Sequence, residues 1–135
     1  MSLANHAHQK DRLLQLAQAA QENAHAPYSH FRVGAAVLLE NGEIFTGCNV
    51  ENASYGLTNC AERTAIFTAV SVLGSANVRI AAVAVVNDHG VPCSPCGACR
   101  QVIAEFGPQA TIWYQGRGGI KESTLDALLP DSFAL

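Results

Sequence analysis

The chain has 135 residues, 49% of them hydrophobic, and a formal net charge of −3 at pH 7, which is one domain's worth of sequence with enough apolar residues to bury a core. The acidic balance, without any basic run, speaks against a nucleic-acid partner. No apolar run is long enough to span a bilayer, and no charged stretch leads into an apolar export segment, so a soluble cytoplasmic protein is the expectation.

Met1 to Gln9 is polar, as frayed termini are, and His6 and His8 within it read as inert rather than as ligands. From Lys10 to about Ala24, Leu13, Leu14, Leu16, Ala17 and Ala20 share one stripe with polar residues opposite, which predicts an amphipathic helix. Pro27 is its expected stop. Phe31 to Leu39 reads as a largely apolar strand, Asn41-Gly42 as a two-residue turn, and Glu43 to Cys48 as the returning strand of a hairpin. Gly34 inside the first strand points to a bulge or to something packed closely on the backbone, while Val33 reads as core.

Asn49-Val50-Glu51-Asn52 follows the second strand, where a ligand-reading loop would lie. Asn49 and Glu51 point the same way if the chain stays extended, and an amide beside a carboxylate suits sugar hydroxyls. The plainer reading is a solvated polar loop. Asn59, or a residue just before it, is expected to cap a helix from about Cys60 to Leu73 that buries Ile66, Phe67, Val70 and Leu73 and stops at Gly74. Val78 to Val86 lacks clean alternation, as does a strand covered on both faces. Asn87 to Gly90 is a loop in which His89 reads as solvated. Pro95 opens another helix. Thr111 to Tyr114 is a strand, Gln115 to Gly119 a glycine-rich turn without the Lys-Ser/Thr of a phosphate loop, and Thr124 to Leu129 a short helix ended by Pro130.

Cys96 and Cys99 have the C-x-x-C spacing with which two thiolates hold one metal ion, and Cys60 completes a set of three. Three protein ligands on tetrahedral zinc leave the fourth position to water, the arrangement of a catalytic site. Both helix starts offer free N–H groups that stabilise thiolates. Glu62, two residues after Cys60, is placed to handle a proton of that water. Cys93 and Cys96 also form C-x-x-C; Cys96 with Cys99 is preferred because both fall inside the helix start. Cys48 reads as a small buried hydrophobe. Five cysteines in such a chain suit metal or catalytic work better than a disulfide framework.

The C-x-E and P-C-x-x-C stretches together form the established zinc-deaminase signature. With Ala26-Pro27-Tyr28-Ser29, Phe31-x-Val33-Gly34-Ala35-Ala36, Gly47-Cys48-Asn49-Val50-Glu51-Asn52-Ala53, Cys60 to Ala65, Ser94 to Gln101 and Leu128-Leu129-Pro130, the chain resembles the small cytidine deaminases nearly end to end. The order of elements, a helix, two hairpin strands, then helix and strand alternating, reads as an α/β sandwich around a mixed sheet, and the resemblance implies its three-layer α-β-α form with a five-stranded sheet. It implies one zinc per chain on Cys60, Cys96 and Cys99, with Glu62 as proton shuttle in the hydrolysis of free cytidine and 2′-deoxycytidine to the uridines and ammonia. Asn49 and Glu51 would hold the ribose, Phe31 would pack near the pyrimidine, and Ala61 would also contact the substrate. Three thiolates leave a net negative charge on the centre. Arg63, three residues after Cys60 on the same helix side, could offset it by donating to sulfur. The apolar tail implies a homotetramer with shared sites, Phe133 reaching a neighbour's pyrimidine. His30 and Gly56-Leu57-Thr58 depart from the usual pattern. A deaminase of blasticidin S type, a nucleic-acid-editing deaminase and a non-catalytic zinc module are the alternatives.

Overall fold

The computed structural model describes residues 8–135; His6 lies outside them. The first helix, α1, spans Lys10–Gln21 and buries Leu13, Ala17 and Gln21, leaving Leu14 and Leu16 only partly covered. It ends before the expected Ala24, so Pro27 is not its terminator. The chain instead leaves the helix to pair: the His25 N–H donates to the Asn49 carbonyl (3.0 Å) and the Glu51 N–H to the His25 carbonyl (2.8 Å).

Strands β1 (Val33–Leu39) and β2 (Ile44–Cys48) form the predicted hairpin, with Gly42 at φ 93° in its turn. Phe31 lies just outside β1. Helix α2 (Ala61–Leu73) follows, then β3 (Ile80–Asn87), α3 (Gly97–Phe106), β4 (Thr111–Gly116), β5 (Gly119–Thr124) and the short α4 (Leu125–Leu128). The sheet order is β2-β1-β3-β4-β5; β3 and β4 are parallel and all other pairs antiparallel. The fifth strand, β5, occupies residues read from the sequence as the end of a turn and a connection. It is a polar edge strand, and its Glu122 carboxylate accepts a hydrogen bond from the Trp113 indole at 2.7 Å.

Alternation along the central strands divides the core. Ala36, Leu38, Ala82, Ala84 and Trp113 face α1; Ala35, Val37, Leu39, Val83, Val85 and Ile112 face α2 and α3. The result is the three-layer sandwich implied by the resemblance. Gly34 explains itself here: a Cβ would run into the Ala17 carbonyl, so α1 rests directly on the backbone of β1.

Helix α2 differs from expectation in its buried face. Ala61, Glu62, Ala65, Ile66 and Ala69 are covered, while Phe67 is 48% exposed. Small residues at every fourth position let the helix lie close to the sheet at Gly47, and a bulky residue cannot occupy that seam. Cys60, not Asn59, takes the N-cap position; the Asn59 side chain donates instead to the Thr64 hydroxyl (3.2 Å).

Candidate metal centre and active site

The topology brings the two cysteine motifs together. Strands β2 and β3 flank β1, and both run antiparallel to it, so they point the same way. Each feeds a helix, α2 and α3, whose N-termini therefore meet at one end of the sheet. Residues 31–33, at the start of β1, lie at that same end.

Cys60 and Cys96 occupy the N-cap positions of α2 and α3 with extended backbone, and Cys99 sits one turn into α3. The ligand atoms of Cys60, Cys96 and Cys99 lie within 4.8 Å of one another, and the Cys60 and Cys96 sulfurs are 3.8 Å apart. Zinc–sulfur bonds in a tetrahedral array place two sulfurs about 3.8 Å apart, so the donor set fits that ion. Cys93 is not in the cluster. Its backbone pairs with Gln115, its thiol is pushed up by burial, and it lines the adjoining cavity.

Charge is managed from one side. The Arg63 guanidinium donates to the Cys60 sulfur at 3.3 Å, while its Nε is buried without a hydrogen-bond partner among the described residues. A hydrogen bond from Cys99 and the bond from Arg63 hold the Cys60 thiol down to about 5; the Cys99 thiol is raised by the same hydrogen bond and by burial. Binding a metal displaces such a shared proton. Arg63 in turn is held more firmly protonated by Cys60. The Glu62 carboxyl is 4% exposed, and burial pushes it up to about 7.

A cavity of about 230 Å³ opens beside this cluster, lined by Phe31, Asn49, Cys60, Ala61, Glu62 and Cys96 among others. Eight of the predicted site residues therefore meet there or at the sulfurs, Cys99 and Arg63 among them. Asn49 is held rigidly: its Oδ1 accepts from the Val33 N–H and its Nδ2 donates to the Phe31 carbonyl, each at 2.8 Å. Glu51 does not border this cavity. It faces an adjacent hollow with Tyr28, Ser29 and Tyr55, and Thr58 borders both spaces. The Glu51 carboxylate accepts from the Tyr28 and Ser29 N–H groups (3.0 and 3.1 Å) and from the Ser29 hydroxyl. Phe133 is 70% exposed and lies outside the cavity of its own chain; its carbonyl accepts from the Gln101 amide at 3.1 Å.

Thr58, Ser94 and Val85 also line the cavity; sequence reasoning marked Thr58 only as part of a departure from the usual pattern and gave no site role to Ser94, Val85 or Arg100. Arg100 donates to the Pro95 carbonyl (2.7 Å), the Ser94 hydroxyl (2.9 Å) and the Leu128 carbonyl (2.8 Å). It thereby ties the loop before Cys96 to the end of α4. Arg100 follows Cys99 directly and lies in the Ser94 to Gln101 stretch that carries the resemblance, and those were the available signals.

Comparison with known proteins gives a consistent picture. A family model described as the cytidine and deoxycytidylate deaminase zinc-binding region matches residues 7–115. A protein of Halalkalibacterium halodurans named cytidine deaminase is 51% identical over 123 residues, covering 90% of this chain and 91% of the relative. One of Sporosarcina psychrophila with the same name is 50% identical over 127 residues, 92% and 90% of the two chains. The crystal structure of a cytidine deaminase from Burkholderia pseudomallei superposes with a TM-score of 0.81 at 48% identity, covering 91% of this chain and 98% of that one.

Proposed function

Since the chain belongs to the cytidine and deoxycytidylate deaminase family, we propose that it hydrolyses free cytidine and 2′-deoxycytidine to uridine and 2′-deoxyuridine with release of ammonia, as a single catalytic domain serving pyrimidine salvage in the cytoplasm. The observation that carries this reading is the convergence of three cysteine sulfurs and a buried carboxylate, Glu62, at one cavity.

Cys60, Cys96 and Cys99 would hold one zinc, whose Lewis acidity readies water for attack near neutral pH. Glu62 accepts the proton released by that water and delivers it to the ring nitrogen next to C4. With the water oxygen now bonded to C4, Glu62 takes the remaining hydroxyl proton and passes it to the amino group, whose bond to C4 breaks to release ammonia and leave the C4 carbonyl. Arg63 supports the centre by donating to the Cys60 sulfur. Ala61 and Phe31 present apolar surface to a pyrimidine in the cavity. Asn49 retains one N–H and one lone pair for a ribose hydroxyl beyond its two backbone bonds. Glu51, already accepting three hydrogen bonds, has about one lone-pair site left, toward the neighbouring hollow. The exposed ring of Phe133 and the apolar tail support a homotetramer in which the tail of one subunit closes the site of another.

The test is the change in ultraviolet absorbance with cytidine, 2′-deoxycytidine and blasticidin S, alongside Glu62→Gln. Turnover of both cytidines is expected, and Glu62→Gln should retain zinc yet lose at least about 10²–10⁴-fold in kcat. Selective turnover of blasticidin S, or a Glu62→Gln protein of undiminished rate, would refute the reading.

A further inference from the structure

The antiparallel ladder between β1 and β3 ends formally at Val33 opposite Asn87. The pairing nonetheless continues. The Asp88 N–H donates to the Arg32 carbonyl at 3.0 Å, and the Arg32 N–H donates to the Asp88 carboxylate, also at 3.0 Å. The Arg32 Nε reaches the other carboxylate oxygen at 3.2 Å. One step further along this register, Phe31 stands opposite His89, and their ring centroids are 5.2 Å apart at an interplanar angle of 40°.

Both sides of that ring pair are anchored. The Phe31 N–H donates to the Ser29 hydroxyl (3.0 Å) and its carbonyl accepts from Asn49 (2.8 Å), so only the ring is free to rotate. The His89 N–H donates to the Asn87 side chain (3.1 Å), and its Nδ1 lies 2.8 Å from the Asp88 carboxylate. Asn87, itself buried, also bonds both main-chain groups of Val91, and Gly90 at φ 63° completes the turn. His89 does not border the cavity, whereas Phe31 does.

The geometry points to His89 as a positioning residue: it braces the Phe31 ring from behind, and so sets the shape of the wall against which the substrate base lies. The inference rests on the proposed nucleoside reading of the cavity. A cross-strand ring pair restricts the side-chain rotation of its partner, so losing it should be felt in substrate binding before chemistry. The sequence read this histidine as a solvated loop residue, because nothing in Asn87-Asp88-His89-Gly90 shows that the ladder overruns the strand.

Steady-state kinetics of the zinc-loaded protein on cytidine test this with His89→Ala, His89→Phe, Phe31→Ala and the double variant His89→Ala/Phe31→Ala. His89 is half-exposed, its side chain retaining 49% of its accessible surface, so truncation should not endanger folding. His89→Ala is expected to raise KM about 1.4-fold to fivefold, the range of a cross-strand aromatic pair, with kcat and zinc content unchanged. His89→Phe, which keeps a ring but not the bond to Asp88, should restore KM. In the Phe31→Ala background, His89→Ala should add nothing. An active wild type with unchanged KM in His89→Ala, or effects that add in full, overturns the inference while leaving the functional reading intact. A wild-type protein inactive on both cytidines overturns the functional reading, and this inference with it.

Discussion

Gly47→Ala is a single-methyl test of how the active centre is held. Gly47 is buried in β2 opposite Ala35, and its backbone is not in the left-handed region, so alanine brings no torsional strain. A Cβ there would lie 2.5 Å from the Ala65 nitrogen, 2.6 Å from the Ala61 oxygen and 3.0 Å from the Thr64 Cβ. Two of these are backbone atoms of α2 and cannot rotate aside. Ordinary contact begins at 3.4 Å, so α2 must recede by roughly 0.9 Å, an overpacking that costs about 1–3 kcal/mol. The same helix carries Glu62 and has Cys60 at its N-cap. A displacement of about 1 Å at reacting groups costs on the order of 10²-fold in rate. Urea denaturation and kcat on cytidine measure the two effects. Gly56→Ala is the control, because a Cβ there meets nothing within 4 Å; it should stay within about 0.5 kcal/mol of the parent. A Gly47→Ala protein as stable and as active as the Gly56→Ala protein would refute the close-contact argument.

Replacing Cys60, Cys96 or Cys99 by Ala should abolish stoichiometric zinc in metal analysis, whereas Cys93→Ala and Cys48→Ala should retain it; loss with Cys93→Ala and retention with Cys99→Ala would reassign the ligands. Asn49→Ala leaves the Phe31 carbonyl and Val33 N–H without their partner, so folding stability and kcat/KM on cytidine should each fall by about 1–3 kcal/mol; a loss in kcat/KM at unchanged stability would assign Asn49 to substrate alone. Truncation after Pro130 should reduce activity more than zinc content and shift the sedimentation coefficient, and an active parent monomer would remove the shared-site proposal.

The sulfur cluster was legible because its signal is chemical and local: a spacing, a proline and a carboxylate two residues on. Elements whose reason for existing is a neighbour were harder to read. Helix α2 was expected to bury Phe67, since large apolar residues dominate a periodicity reading; the covered seam of Ala61, Ala65 and Ala69 follows from the absent side chain at Gly47 on another element. Strand β5 carries Lys121 and Glu122 on an exposed edge, where charge deters further pairing, and this hides the apolar signal of a strand. Glu51 was grouped with Asn49 by alternation. The structure turns its carboxylate onto the Tyr28-Ser29 turn, a contact across more than twenty residues that no local pattern records.

The N-cap placement of Cys60 and Cys96 has a thermodynamic corollary. Neither side chain accepts a hydrogen bond from a backbone amide of its own helix, so the opening amides of α2 and α3 have no side-chain cap from these two residues. A metal that gathers the thiolates in front of both helix ends fastens two otherwise separate segments with one ion. Its binding energy then counts toward local folding at both places. Amide hydrogen exchange should register this as linkage: on chelation, protection at residues 61–64 and 97–100 falls in step, each segment reporting the same binding isotherm although 32 residues of intervening chain, 65–96, separate them.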